Sequence, residues 1–121
     1  MAGGRERGLM EIRHYTEVLL EEAEAGSRGL KVRWVLGPRT GPKRCYMRIF
    51  ELQPGGNSPR HEHPGEHAVY VLQGSGLAVG AAGETPISAG TCIHIPGGQR
   101  HQLKNNGSET LIFLCVLSAP D

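Results

Sequence analysis

An all-β fold is predicted by the distribution of turn residues and apolar runs along the chain. Eighteen glycines and eight prolines stand mainly between short runs of apolar and β-branched residues. This arrangement is typical of many short antiparallel strands that are joined by tight turns. At 121 residues, the chain has the length of one domain with a hydrophobic core of its own. We therefore expect a single all-β sandwich or barrel.

Residues 1–29 are expected to form a short N-terminal arm outside this domain. Within the arm, residues 12–18 fit either an extended segment or the start of a short helix. Residues 21–26 could continue such a helix to the glycine at its end. The sequence does not decide between these alternatives. Residues 30–121 are assigned to one barrel domain.

Eight strands are predicted in the barrel domain, because its apolar runs alternate or are rich in β-branched residues and are bounded by turn residues. The first two strands are separated by a loop that contains Gly37-Pro38 and Gly41-Pro42, and the second is expected to end at Pro54-Gly55-Gly56. The predicted strands are 30–36, 45–52, 68–72, 77–80, 85–87, 91–95, 100–104 and 109–117.

Overall charge limits the classes of binding partner, and cysteine usage indicates the cellular compartment. The chain has 13 basic and 12 acidic residues and a net charge of +1, so neither nucleic acid nor an anionic membrane is indicated as a partner. The longest unbroken apolar run, residues 111–117, has the length of a strand rather than of a membrane span. Cys45, Cys92 and Cys115 are odd in number and lack CxxC spacing, which favours free thiols in a reducing cytoplasm. We expect a cytoplasmic protein.

Three of the six histidines fall within one short segment after the second strand. His61 and His63 are two positions apart, so both imidazoles project from one face of an extended chain. His67 keeps that parity after the Pro64-Gly65 turn. Three nitrogen atoms could then converge on one point and bind a metal ion. The alternative is a surface loop that is rich in histidine.

A second segment contains the turn Pro96-Gly97-Gly98, and His101 opens the strand that follows it. Together, the two segments resemble the two sequence motifs of the cupin family in spacing and order. The first pattern is Gly55-x5-His61-x-His63-x3-His67-x6-Gly74, and the second is Gly90-x5-Pro96-x-Gly98-x2-His101-x3-Asn105. The resemblance extends over residues 30–117 and implies a cupin jelly-roll barrel, also called a double-stranded β-helix.

The resemblance also implies a metal site whose ligands are His61, His63, His67 and His101. Cupins usually have a glutamate at the position of His67. The neighbouring Glu66 has the opposite parity and is expected to point away from the site. The chain therefore resembles most the small single-domain cupins of the cupin 2 type that bind metal through four histidines. The expected cofactor is one divalent transition metal ion, with manganese or iron favoured and nickel, copper or zinc as alternatives.

Four neutral imidazoles leave the charge of a divalent ion uncompensated, so we expect the site to attract a small anionic or chelating molecule. The resemblance implies a metal-dependent oxidoreductase, similar to a dioxygenase, that acts on a small organic acid, an enol or a diketone. The alternative is a non-catalytic module in which the metal holds a small ligand or braces the barrel. The sequence identifies no catalytic residue.

Several residues are expected to line the substrate pocket. For Arg48, the alternative is a position on the solvent face of its strand. For the cysteine of the last strand, pairing with the strand from Arg100 gives opposite orientations for a two-residue and a three-residue loop at 105–107. Resemblance to the four-histidine cupins favours the inward orientation. The expected pocket residues are Arg48, Phe50, Leu103, Phe113 and Cys115.

A homodimer is expected, because small cupins commonly pair and because Tyr15, Val18, Leu19 and Leu20 lie outside the barrel motifs. These side chains would be poorly buried in a monomer. The partner subunit would pack on residues 10–20 or on the strand at 30–36.

Overall fold

The computed structural model describes residues 10–60 and 62–119. Apart from a 3-10 helix at Tyr15–Glu17, the regular structure of these residues is antiparallel β-sheet, which confirms the all-β prediction. None of their helical structure is long and apolar enough to cross a membrane. In chain order, the strands are β1 (Glu21–Glu22), β2 (Arg28–Leu36), β3 (Cys45–Asn57), β4 (His67–Gln73), β5 (Ser75–Gly80), β6 (Gly83–Ser88), β7 (Cys92–Ile95), β8 (Gln102–Lys104) and β9 (Leu111–Ser118).

The prediction that Pro54-Gly55-Gly56 ends the second strand was wrong, because β3 runs on to Asn57. Gly55 has a φ of +81°, in the left-handed region that favours glycine. A Cβ on Gly56 would lie 2.4 Å from the carbonyl oxygen of Arg28. The two glycines therefore let β3 bend and stay close to β2, and the register between the two strands shifts at this point.

In the arm, the helical alternative for residues 21–26 was wrong. Glu21 and Glu22 instead pair with Val32 and Lys31 of β2. The helical alternative for residues 12–18 holds only for Tyr15–Glu17, which His14 caps. The arm is attached to β2 by hydrogen bonds, since Arg13 Nη1 donates to the Val35 carbonyl at 2.9 Å. The arm thus lies against the barrel of the same chain.

The last strand lies in the middle of the sheet. The strand order is β6-β5-β8-β3-β9-β4-β7, and β2 pairs with the other side of β3. The predicted pairing of β9 with the strand from Arg100 was wrong, because β9 pairs with β3 and β4 while β8 pairs with β5 and β3. Cys115 consequently lies opposite both Arg48 and Val69.

The core is formed by alternate residues on the concave face of this curled sheet. Leu52, Val71 and Leu111 have no exposed surface, and Leu52 lies directly opposite Leu111 on neighbouring strands. Apolar side chains of β2, β4, β6, β7 and β8 complete the cluster. Several of these core side chains also face the open part of the concave face, which holds the candidate site.

Candidate metal centre

Three imidazoles converge at one point of the concave face. His63 lies in the turn before β4, His67 is the first residue of β4 and His101 immediately precedes β8. The ring centroid of His63 is 4.2 Å from that of His67 and 5.0 Å from that of His101. One ligand nitrogen from each ring lies within 4.8 Å of the other two, and all three residues are half-buried. His61 lies outside the described residues, so its part in the site stays a prediction.

Hydrogen bonds hold two of these rings in a tautomer that suits a metal ligand. Nδ1 of His63 lies 2.9 Å from the carbonyl oxygen of Gly65, and Nδ1 of His101 lies 2.9 Å from that of Gln99. A carbonyl oxygen only accepts hydrogen bonds, so each Nδ1 carries the proton. The lone pair of the neutral ring is then on Nε2, and the backbone bond fixes the orientation of the ring as in known metal sites. The donor set therefore fits a divalent transition metal ion.

Glu66 points away from these imidazoles, as its parity predicts. Its carboxylate lies 2.8 Å from Nε2 of His94, and both side chains are largely exposed on the outer face. Within the described ranges, the histidine group contains no carboxylate. The described candidate donors are accordingly imidazoles alone, so the charge of a bound divalent ion would be left for other ligands to balance.

The three imidazoles line a cavity of about 360 Å³, the wall of which is mainly apolar. The structure brings all five residues of the expected pocket, Arg48, Phe50, Leu103, Phe113 and Cys115, to the surface of this cavity. Phe50 and Phe113 stack with ring centroids 5.1 Å apart. The wall also includes side chains that the sequence analysis did not name: Glu24, Leu30, Ser58, Pro59, Glu62, Val69, Ile95 and Leu117.

Some of these additional wall residues carried a usable signal. Val69 follows His67 by two positions on β4, so both side chains lie on the same face of the strand. Leu117 follows Cys115 by two positions on β9 in the same way. Glu24 had no such signal in the sequence, because this residue reaches the cavity from the irregular segment between β1 and β2.

The side chain of Cys115 is 3% exposed and lies on the cavity side of β9. Burial raises the pKa of its thiol, and the nearby Arg48 guanidinium opposes this effect only in part. The thiol is therefore neutral at physiological pH. His14 and His94 are exposed and belong to the arm and to the outer face of β7.

The curled antiparallel sheet and the histidines that converge from two turns are the arrangement that the two cupin motifs predict. Residues 48–117 match the family profile Cupin_2, described as "Cupin domain". The chain therefore belongs to the cupin family, and the resemblance that the two motifs carried is confirmed. Its fold is the cupin jelly roll.

Individual known proteins are similar to this chain over more than half of its length. Auxin-binding protein 1 of Arabidopsis thaliana is 33% identical over 123 residues, which cover 93% of this chain and 61% of that protein. The structure of the polyketide cyclase RemF from Streptomyces resistomycificus superposes with a TM-score of 0.86 at 30% identity and covers 93% of this chain and 81% of the cyclase. Gentisate 1,2-dioxygenase of a Ralstonia species is 32% identical over 76 residues, which cover 62% of this chain and 21% of the dioxygenase. The chain thus spans less than two thirds of the length of these curated relatives.

Proposed function

We propose that this cupin is a metal-dependent enzyme that cyclises an enolisable β-dicarbonyl compound of the polyketide type, without an oxidant. The observation that carries the proposal is the structural similarity to a polyketide cyclase over 93% of the chain, together with a cavity that holds the three imidazoles in an otherwise mainly apolar wall. The proposed ligands of the metal are His63, His67, His101 and His61. Oxygen-dependent oxidation by the same site, as the sequence analysis expected, is the second candidate function. The similarity to a gentisate dioxygenase favours it.

The residues of the cavity would have different roles in this reaction. A divalent ion held by the histidines would supply Lewis acidity at the end of the cavity where they converge. The apolar wall around Phe50, Leu103 and Phe113 excludes water and folds a flexible substrate so that its reacting carbons approach each other. Glu24 and Glu62 are the carboxylates among the described residues that line the cavity, and we propose that one of them accepts the proton that leaves carbon.

The metal and the reaction are tested together. The protein is purified without a chelator, and its metal content is measured by elemental analysis. It is then incubated with poly-β-ketone substrates in the presence and in the absence of oxygen, and the products are identified by mass spectrometry. We expect a cyclised product, formed by loss of water, in both atmospheres.

Other results of this experiment discriminate among the alternatives. Manganese and iron, which the sequence analysis favours, suit both reactions, whereas zinc suits only the non-redox reaction. Oxygen uptake with incorporation of oxygen into the product would contradict the cyclase proposal and favour the oxygenase. Saturable ligand binding without turnover under either atmosphere would favour the non-catalytic module.

We also propose that the protein is a cytoplasmic homodimer that pairs through its arm. Met10, Ile12 and Leu19 are 83%, 78% and 71% exposed, although hydrogen bonds of the Arg13 side chain and of the Val18 carbonyl to β2 hold the arm in place. Exposed apolar side chains on a fixed segment favour contact with a partner subunit. The three cysteines of the chain are free, which supports a reducing compartment.

Light scattering at about micromolar concentration is expected to give the mass of a dimer. The double variant Ile12→Ser, Leu19→Ser should shift the mass towards the monomer, whereas Leu72→Ser on the outer face of β4 should not. A monomeric wild-type protein would contradict the proposal.

A further inference from the structure

Arg48 is placed on the concave face of the barrel by its register in the sheet. Its partners across β3 are Trp34 on β2 and Cys115 on β9. Phe50, two positions further along β3, faces the same cavity. The alternative of a position on the solvent face therefore does not describe this arginine, whose side chain contributes to the cavity wall.

The guanidinium of Arg48 is held between aromatic rings. Its central carbon lies 5.0 Å from the ring centroid of Trp34 and 4.8 Å from that of Phe50. Cation–π contacts of this kind stabilise a partly desolvated guanidinium and fix its plane. Arg48 is thus positioned by its neighbours before any ligand arrives.

The charge of Arg48 is not balanced by an acidic side chain in the described part of the chain. None of the ion pairs among residues 10–60 and 62–119 includes it. Its Nη2 donates to Sγ of Cys115 at 3.5 Å, and its buried Nε has no hydrogen-bond partner among these residues. Because the thiol is neutral, Cys115 is not a counter-ion. A partly buried cation with unused donors is costly unless an anion completes it.

Glu24, one of the two carboxylates that line the cavity, is separated from Arg48 along β2. Glu24 follows Ala23, whose N–H donates to the carbonyl of Leu30. Trp34, which pairs with Arg48, is four residues further along β2, a distance of about 13 Å along the strand. Glu24 and Arg48 therefore lie at different ends of β2.

The same register places Arg48 within reach of a molecule that contacts the imidazoles. Arg48, Cys115 and Val69 form a row across three neighbouring strands, and His67 lies two residues before Val69 on the same face of β4. Two strand spacings and two residues of rise put the backbones of Arg48 and His67 on the order of 12 Å apart along the sheet. Both side chains extend into the cavity between them, so one small molecule can touch both.

We propose that Arg48 binds a carboxylate of the substrate, so that the substrate is a keto acid whose carbonyl reaches the histidine centre while its carboxylate stays on the guanidinium. Only one part of this proposal, the contact between the substrate carbonyl and the histidine centre, rests on the proposed function. A carboxylate matches the planar fork of arginine. Arg48 is the one basic side chain apart from the histidines among the described residues that line the cavity. A single guanidinium suits a monoanionic carboxylate better than a dianionic phosphate.

The chain provides its own probe for this binding. Trp34 is the only tryptophan of the sequence, and its ring contacts the Arg48 guanidinium. Its fluorescence should therefore respond to a ligand at this position. The experiment titrates the zinc-loaded full chain with 4-oxopentanoate and, separately, with its methyl ester, and compares the dissociation constants. These two probes share the carbonyl and differ in the charge of the carboxylate.

Wild-type protein is expected to bind the acid about tenfold to a hundredfold more tightly than the ester, as charge-assisted hydrogen bonds predict. In Arg48→Gln, the acid should lose this advantage while the affinity for the ester stays the same. Arg48→Lys, which keeps the charge without the fork, should lie between the two. Lys31→Gln removes an equal charge from an exposed position on β2 and should behave like wild type.

Equal affinity for the acid and the ester in wild-type protein, or an unchanged preference in Arg48→Gln, would overturn the proposal. Calorimetry reports the same constants if a variant loses the fluorescence signal, and circular dichroism shows whether it folds. Failure of the ester to bind any variant would instead count against the carbonyl contact of the proposed function, so the two failures are distinguishable.

Discussion

Replacing His101 by alanine is expected to lower the affinity for the metal by at least about a hundredfold, since loss of a residue that merely orients a ligand already costs about 10- to 100-fold. His101 meets His63 and His67 at the concave face, and each ring contributes one nitrogen. The alanine variants of His63 and His67 should show the same loss. Elemental analysis of the purified proteins, followed by titration against a chelator of known affinity, measures it.

The variant His61→Ala tests the predicted fourth ligand by the same measurement. Glu66→Ala and His94→Ala are matched controls, because these residues pair with each other on the outer face. Both controls should retain metal. Full metal occupancy in all four histidine variants would contradict the assignment of these residues as metal ligands.

Replacing Asn105 by alanine is expected to lower the free energy of unfolding by about 3 kcal/mol or more, because hydrogen bonds are lost and buried acceptors are left unpaired. Asn105 is buried, with only 2% of its surface exposed. Its Nδ2 donates to the carbonyls of Leu52 and Glu109, each at 2.8 Å. Its Oδ1 accepts from the N–H of Gly107 at 2.9 Å. Urea unfolding, with the midpoint and the slope compared to wild type, gives the change.

Asn106→Ala is the control for this prediction, because Asn106 is the exposed neighbour in the same turn. It should change stability by no more than about 0.5 kcal/mol. Asn105→Asp keeps the acceptor but loses both donors, so it should also be destabilised. An Asn105→Ala variant as stable as Asn106→Ala would show that the hydrogen bonds to Leu52 and Glu109 contribute little.

The strands and the grouping of the described histidines could be predicted from the sequence because their signals are local. Alternation along β2 and turn residues at either end depend only on neighbouring positions. The common face of His63 and His67 likewise follows from parity across a short turn. The place of His101 came from the cupin resemblance, which supplies the long-range pairing that local patterns lack.

Features that depend on which strands pair could not be predicted. The orientation of Cys115 was argued from a hairpin with the strand from Arg100, yet β9 pairs with β3 and β4. Both faces of β9 are apolar, so its sequence carries no preference for a partner. Arg48 has Met47 and Ile49 as neighbours, and only the register with Trp34 shows that the arginine faces inwards.

The central position of β9 has a consequence for how the barrel assembles. Its two neighbours are made much earlier than β9 itself, and Cys115 follows its partner Arg48 by 67 residues. While the chain is being synthesised, β3 and β4 each have one unpaired edge, because their common partner β9 has not yet been made. Contacts between such distant residues slow folding to about the millisecond-to-second range. During that time, the exposed edges are open to pairing with other chains, so expression at lower temperature should raise the yield of correctly folded protein.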